Sequence, residues 1–194
     1  MLQVLALSVL RYLLVQLALL PVLLCSCSVR ATPEGPLKGE TVKLKLTSAS
    51  FEDGDMIPPR HTCDGANVSP PLAWDDVPAT AAALALICDD PDAPMGTWVH
   101  WVLYDLPPDI TELPEGVPTR EVLDSGARQG RNGSRRIGYG GPCPPSGTHR
   151  YYFKLYALDD KIDLPPGATK KQLLAAMEGH ILAEGQLMGR YKRG

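Results

Sequence analysis

From Val42 the segment VKLKLTSASF alternates apolar and polar residues, the period-2 pattern of a strand buried on one face. Three later segments, ALALICDD, TWVHWVLYDL and HRYYFKLYAL, are short continuous apolar runs that read as buried strands. Proline-marked loops separate them: MIPPRHTCDGANVSPPLAW, LPPDITELPEGVP and LPPGAT. Only TKKQLLAAMEGHILAEGQLM carries helical spacing, with Leu173, Leu174, Met177, Ile181 and Leu182 recurring along one face and Thr169 as its N-cap. Strands joined by long loops, with one late helix, predict a mostly β fold: an antiparallel β-sandwich with a peripheral C-terminal helix. Strand and helix do not alternate, which argues against a Rossmann sheet.

The first stretch, MLQVLALSVLRYLLVQLALLPVLLCSCS, is almost wholly apolar, with Arg11 as its one cation. A secretory signal and a membrane anchor both fit that length. It ends in small residues and cysteines, and the polar SVRATPEGPLKGE follows, a pattern that favours export with cleavage. Leu24-Cys25-Ser26-Cys27 resembles a lipoprotein cleavage box with Cys27 as the lipidated residue. The expected organisation is a signal peptide over 1–27, a linker over 28–41 and a domain over 42–194. The expected location is the periplasm or cell envelope, with membrane contact only through the signal or a lipid.

Composition narrows the class of partner. The chain has 194 residues, 44% of them hydrophobic and 21% charged, which is enough apolar content for a folded core. A net charge of −3 and the lack of any long basic run argue against nucleic acid binding. Past the signal lie Cys63, Cys88 and Cys143. Cys63 and Cys143 sit in turn-rich loops and Cys88 ends an apolar run, so one Cys63–Cys143 disulfide with Cys88 as a buried free thiol is expected in an oxidising compartment. No CxxC pair is present, which argues against a zinc ribbon or a thioredoxin-like site.

The segment DDPDAPMGTWVHW sets acids and a histidine beside apolar bulk. Strict strand alternation puts Trp98, His100, Val102 and Tyr104 on one face, and His149, Tyr151, Phe153 and Leu155 on one face of the later strand. Two strands then carry a histidine near their N-terminal ends, one after the turn DDPDAP and the other after GGPCPPSGT. If they neighbour each other, imidazoles, carboxylate and a glycine-rich loop converge at one rim. Imidazole N–H groups and loop amides would hold phosphate or carboxylate oxygens, an aspartate would fix a histidine tautomer, and aromatic walls would receive an apolar group. Taken singly, each histidine also fits a satisfied core position.

DPDAP, TWVHW and GYGGPCPPSGTHRYYFKLYAL together resemble the two signature regions of the phosphatidylethanolamine-binding protein (PEBP) family, most closely its bacterial, Raf-kinase-inhibitor-like branch. LTSASFEDGDMIPPRHTCDGANVSPPLAW and LAEGQLMGRYKR extend the likeness over roughly Leu44 to Lys192. The resemblance implies a PEBP-like antiparallel sandwich with a small anion-binding cavity at one rim. By its motif the cavity residues are Asp90, Trp98 and His100 from the first region and Gly141, Pro142, His149 and Tyr151 from the second. Asp92 is the motif's second acid, read as a structural turn residue. Homodimers are frequent among bacterial members. The chain departs from the pattern in the arginines of LDSGARQGRNGSRRIGYGG (Arg128, Arg131, Arg135, Arg136), which form either a solvated face or a lure for anions. It also ends at GRYKRG, without the longer C-terminal segment of animal members, so kinase-regulatory roles are not expected to transfer.

The function that follows is an exported, non-enzymatic binder of a small phosphate-bearing or anionic ligand, such as a phospholipid head group. The alternative is a protein inhibitor or regulator, of a protease or kinase, acting through the rim loops. No cofactor and no metal are expected. The serines of NVSPP and PSGTH lie in turns, and GYGGPCPPSG lacks the Gly-Lys-Ser/Thr ending of a phosphate-binding P-loop. His61, in a polar loop, and His180, on the helix, read as structural.

Overall fold

A computed structural model describes residues 42–194, which lie in one compact unit, Gly39–Gly194. The expected signal peptide and linker, with Cys27, lie outside the described residues. The elements are β1 (Val42–Lys43), β2 (Lys45–Thr47), a 3-10 turn (Pro59–His61), β3 (Leu72–Asp75), β4 (Ala83–Asp90), β5 (Trp98–Leu106), β6 (Glu112–Leu113), β7 (Arg128–Gln129), β8 (Thr148–Leu158), helix α1 (Lys170–Met177) and β9 (Ile181–Lys192).

They build a six-stranded sheet in the order β1-β9-β8-β4-β5-β7 and a three-stranded sheet in the order β2-β3-β6. Pairing is antiparallel except between β1 and β9. Leu46, Leu72, Trp74 and Leu113 of the small sheet pack with Leu84, Leu86, Phe153, Leu155 and Leu187 of the large one to form the main core. The other face of the large sheet carries Ala85, Ile87, Val102 and Tyr104, covered by Leu173 and Met177 of α1. Strand β4 is therefore buried along its whole length, which is why ALALIC reads as an unbroken apolar run.

Two expectations are corrected here. Helix α1 begins as expected, with Thr169 and Gln172 forming a reciprocal capping box, but it ends at Met177. The chain turns at Gly179 (φ +82°), so Ile181 and Leu182 open the longest strand and do not extend the helix. Nor do Val102 and Tyr104 share a face with Trp98 and His100. Cys88 pairs with Trp101 while Asp89 pairs with Val99, which leaves His100 as the extra residue of a β-bulge. Past it Val102 and Tyr104 face α1, and Trp101 and Leu103 face the main core.

Candidate functional site

The acids of DDPDAP separate by strand alternation. Asp89, only 1% exposed, points to the α1 side, where Lys154 Nζ lies 3.0 Å away and Lys170 Nζ also pairs with it. A buried carboxylate requires such partners, and two lysines supply them. Asp92 folds back on Arg150, accepting from its Nη2 at 2.7 Å and from its backbone N–H at 2.9 Å. The Arg150 hydrogen bonds hold the Asp92 carboxyl at about 2. Asp90 faces the rim of the core: Oδ1 accepts from the Asp92 N–H at 2.8 Å and Oδ2 accepts from His149 Nδ1 at 2.7 Å.

His149 comes from β8, two residues from Tyr151 on the same face. His100 comes from the bulge of β5, and its ring meets that of Tyr151 edge-on with centroids 5.1 Å apart. His100 Nδ1 donates to the Gly140 carbonyl at 2.5 Å, while Gly140 N–H donates to the His100 carbonyl at 2.9 Å. Burial pushes the His100 imidazolium down, partly opposed by the Gly140 hydrogen bond. With each Nδ1 committed as a donor, Nε2 of both rings makes no hydrogen bond to any described residue.

These groups line a cavity of about 400 Å³. Asp90, Trp98, His100, Gly141 and His149 line it, as does Arg136 of the arginine-bearing loop, together with Asn67, Asn132, Ser134 and Tyr139, which the sequence reading did not single out. Pro142 and Tyr151 do not line it. Pro142 is buried and its carbonyl accepts from the Cys63 N–H at 3.0 Å. Tyr151 is fully buried beside His100, and its hydroxyl has no hydrogen-bond partner among the described residues. The loop amides are also not free as anion donors: Gly140 N–H goes to His100, and Gly141 N–H to Asn67 Oδ1 at 2.8 Å.

One wall is a stapled pair of loops. Cys63 and Cys143 form a disulfide with Cα atoms 5.4 Å apart, and Tyr139 Oη donates to the His61 carbonyl at 2.7 Å beneath it. His61 is buried, between the Val68 carbonyl and Ser50 Oγ, and takes no part in the cavity. His180 is exposed and pairs with Asp159. Cys88 is a buried free thiol, pushed up mainly by its burial. Among the described residues, no three His, Cys, Asp or Glu side chains cluster to hold a metal ion.

A two-sheet β fold with an acid–histidine cavity at one rim defines a class of small β-sandwich proteins with a recessed polar site. The chain belongs to the phosphatidylethanolamine-binding protein family, whose model matches residues 47–192. It is 57% identical over 151 residues to a UPF0098 protein of Methanothermobacter thermautotrophicus, covering 78% of this chain and all of that one. A UPF0098 protein of Aquifex aeolicus is 48% identical over 153 residues, covering 77% of this chain and 89% of the relative. Two crystal structures are similar. A PEBP homolog from Chlamydia trachomatis is 44% identical with a TM-score of 0.73, and E. coli YbcL, described as a member of the mammalian PEBP family, is 31% identical with a TM-score of 0.72. Each covers 79% of this chain and the whole of its own.

Proposed function

We propose that this chain is a non-enzymatic binding protein whose cavity takes a small phosphate-bearing ligand. The observation that carries the reading is the convergence of His100 and His149, each locked through Nδ1 and each with Nε2 uncommitted, on one recess. A fixed ring with one free nitrogen is a ready ligand contact, preorganised at no further entropic cost. Tyr151, buried behind the cavity wall, packs edge-on against the His100 ring and helps fix it.

Two-dimensional NMR of the full chain in a maltoside detergent tests this with inorganic phosphate, phosphoethanolamine and a short-chain phospholipid. Shifts should cluster at Asp90, Gly141, Tyr151 and both histidines. His100→Ala should weaken binding about tenfold or more, as for a lost hydrogen bond to a charged group. At position 149 the informative variant is His149→Asn, because alanine would strand the buried Asp90 carboxylate. Unchanged affinity in both variants overturns the reading.

A second reading, inhibition of a protein partner through the rim, has one observation in its favour. Met95 is fully exposed three residues before Trp98, which lines the cavity and is itself half-exposed. Cavity substitutions would spare that activity.

A further inference from the structure

We propose that the cavity, taken as the phosphate site argued above, is built for a phosphate monoester that binds together with a proton, and that Arg136 sets this preference. Two independent features of the lining lead there.

The first is its inventory of acceptors. Because both Nδ1 atoms donate, to the Gly140 carbonyl and to Asp90 Oδ2, a ring of His100 or His149 that carries a single N–H presents Nε2 to the cavity as an acceptor. Asp90 is a further acceptor. An ionised phosphate oxygen accepts as well, so the two sides meet only across a shared proton. A monoester, with a second ionisation at about 6, is mostly dianionic at neutral pH and takes up one proton on entering such a site, held on its own oxygen or on an imidazole. A diester has no P–OH and carries a single charge, so it brings no proton to the site.

The second feature is charge. Asp90 is the one acid among the cavity-lining residues and Arg136 the one arginine or lysine. Its guanidinium has no hydrogen bond or ion pair with any described residue, whereas Arg128 pairs with Asp105 at 3.6 Å and Arg150 with Asp92 at 2.7 Å. The backbone of Arg136 is held in place. Asn132 Oδ1 accepts from its N–H at 3.1 Å and from Ser134 N–H at 3.0 Å, and Asn132 N–H donates to its carbonyl at 2.9 Å. The loop is seated on β5 by Gly133 N–H donating to the Val99 carbonyl at 2.7 Å. Gly133 is needed there because a Cβ would stand 2.5 Å from Trp98 Cε2. A planar guanidinium on a fixed loop is suited to the paired oxygens of a dianion. Of the four arginines in this region, only Arg136 lines the cavity.

Calorimetry of the full chain in a maltoside detergent at low salt tests both features, using phosphoethanolamine as monoester and glycerophosphoethanolamine as diester. The wild type should favour the monoester by about tenfold, Arg136→Gln should reduce that preference to within about threefold, and Arg136→Lys should keep part of it. The monoester's binding heat should also change with the ionisation enthalpy of the buffer, reporting net proton uptake. Equal affinity for the two esters, or a preference untouched in Arg136→Gln, overturns this inference while leaving the phosphate site standing. A heat independent of buffer overturns its proton component. Failure of the wild type to bind either ester overturns the site itself and this inference with it.

Discussion

Replacing the Cys63–Cys143 disulfide by two serines separates what the bridge does to the folded protein from what it does to the unfolded chain. The cysteines stand 80 residues apart in sequence, so the bridge closes more than half of the described chain into one loop. In the loop-entropy treatment, a loop of roughly 80 residues removes about 15 cal/mol/K from the unfolded ensemble, or about 4.5 kcal/mol at 25 °C. Native-state strain and residual unfolded structure usually reduce such values, which puts the expected loss at about 2–4 kcal/mol. That is a large fraction of the roughly 5–15 kcal/mol that holds a typical domain folded.

The local geometry says where this loss should not appear. The loops stay joined without the bridge, through Cys63 N–H to the Pro142 carbonyl, Gly141 N–H to Asn67 and Tyr139 Oη to the His61 carbonyl. The double serine variant should therefore fold with its cavity in place and bind phosphoethanolamine within a few-fold of wild type. Urea unfolding followed by fluorescence of the buried Trp74 and Trp101 gives the stability. The denaturant slope should also rise, because an uncrosslinked chain exposes more surface when unfolded. A loss below about 0.5 kcal/mol would refute the reasoning, as would a stable variant that no longer binds, since the bridge would then shape the native site directly.

Two further substitutions follow from the site. Asp92 has a folded pKa of about 2, below its unfolded value, so its pairing stabilises the protein above about pH 4 and is lost as pH falls toward 2. Arg150→Ala should remove most of that component, a small loss for a pair open to solvent, and flatten the acid limb of the stability curve between pH 4 and 2. Gly133→Ala should push the Trp98 indole off the loop, changing its emission and lowering monoester affinity with little change in acid or urea stability; an unshifted emission spectrum would contradict the close approach.

The fold was legible where burial writes a simple pattern. β4, β5 and β8 are apolar runs because each carries side chains into a packed core. β9 was not legible, although it pairs with β8 along almost its full length. Its inward positions are Ala183, Gly185, Leu187, Gly189 and Tyr191, so glycine occupies two of the places where alternation would show an apolar side chain. Neither glycine tolerates a Cβ: one would lie 2.5 Å from the Leu44 carbonyl oxygen, the other 2.4 Å from Ile57 Cγ1. The close approach of the Leu44 and Ile57 segments thus erased the period-2 signal and left Ile181 and Leu182 to be counted with the helix.

The site was legible in its acids and histidines and hidden in its second wall. Asn132 and Ser134 reach the cavity through a loop with no periodicity, positioned by backbone bonds to Val99 and His100 that no residue pattern announces. Of that loop's arginines, which the sequence left as a solvated face or a lure for anions, only Arg136 reaches the cavity with them. The bulge explains both the error and the site. Strict alternation treats His100 as an ordinary strand position and assigns Val102 and Tyr104 to its face. Because His100 is the inserted residue, it has no partner on β4, and its carbonyl and Nδ1 are both taken by Gly140 from the opposite side. A regular β5 would commit that backbone to the sheet and lose the clasp that fixes the ring. The irregularity that defeats the strand pattern is what turns a core histidine into a cavity histidine, and a local rule fails here where the site is built.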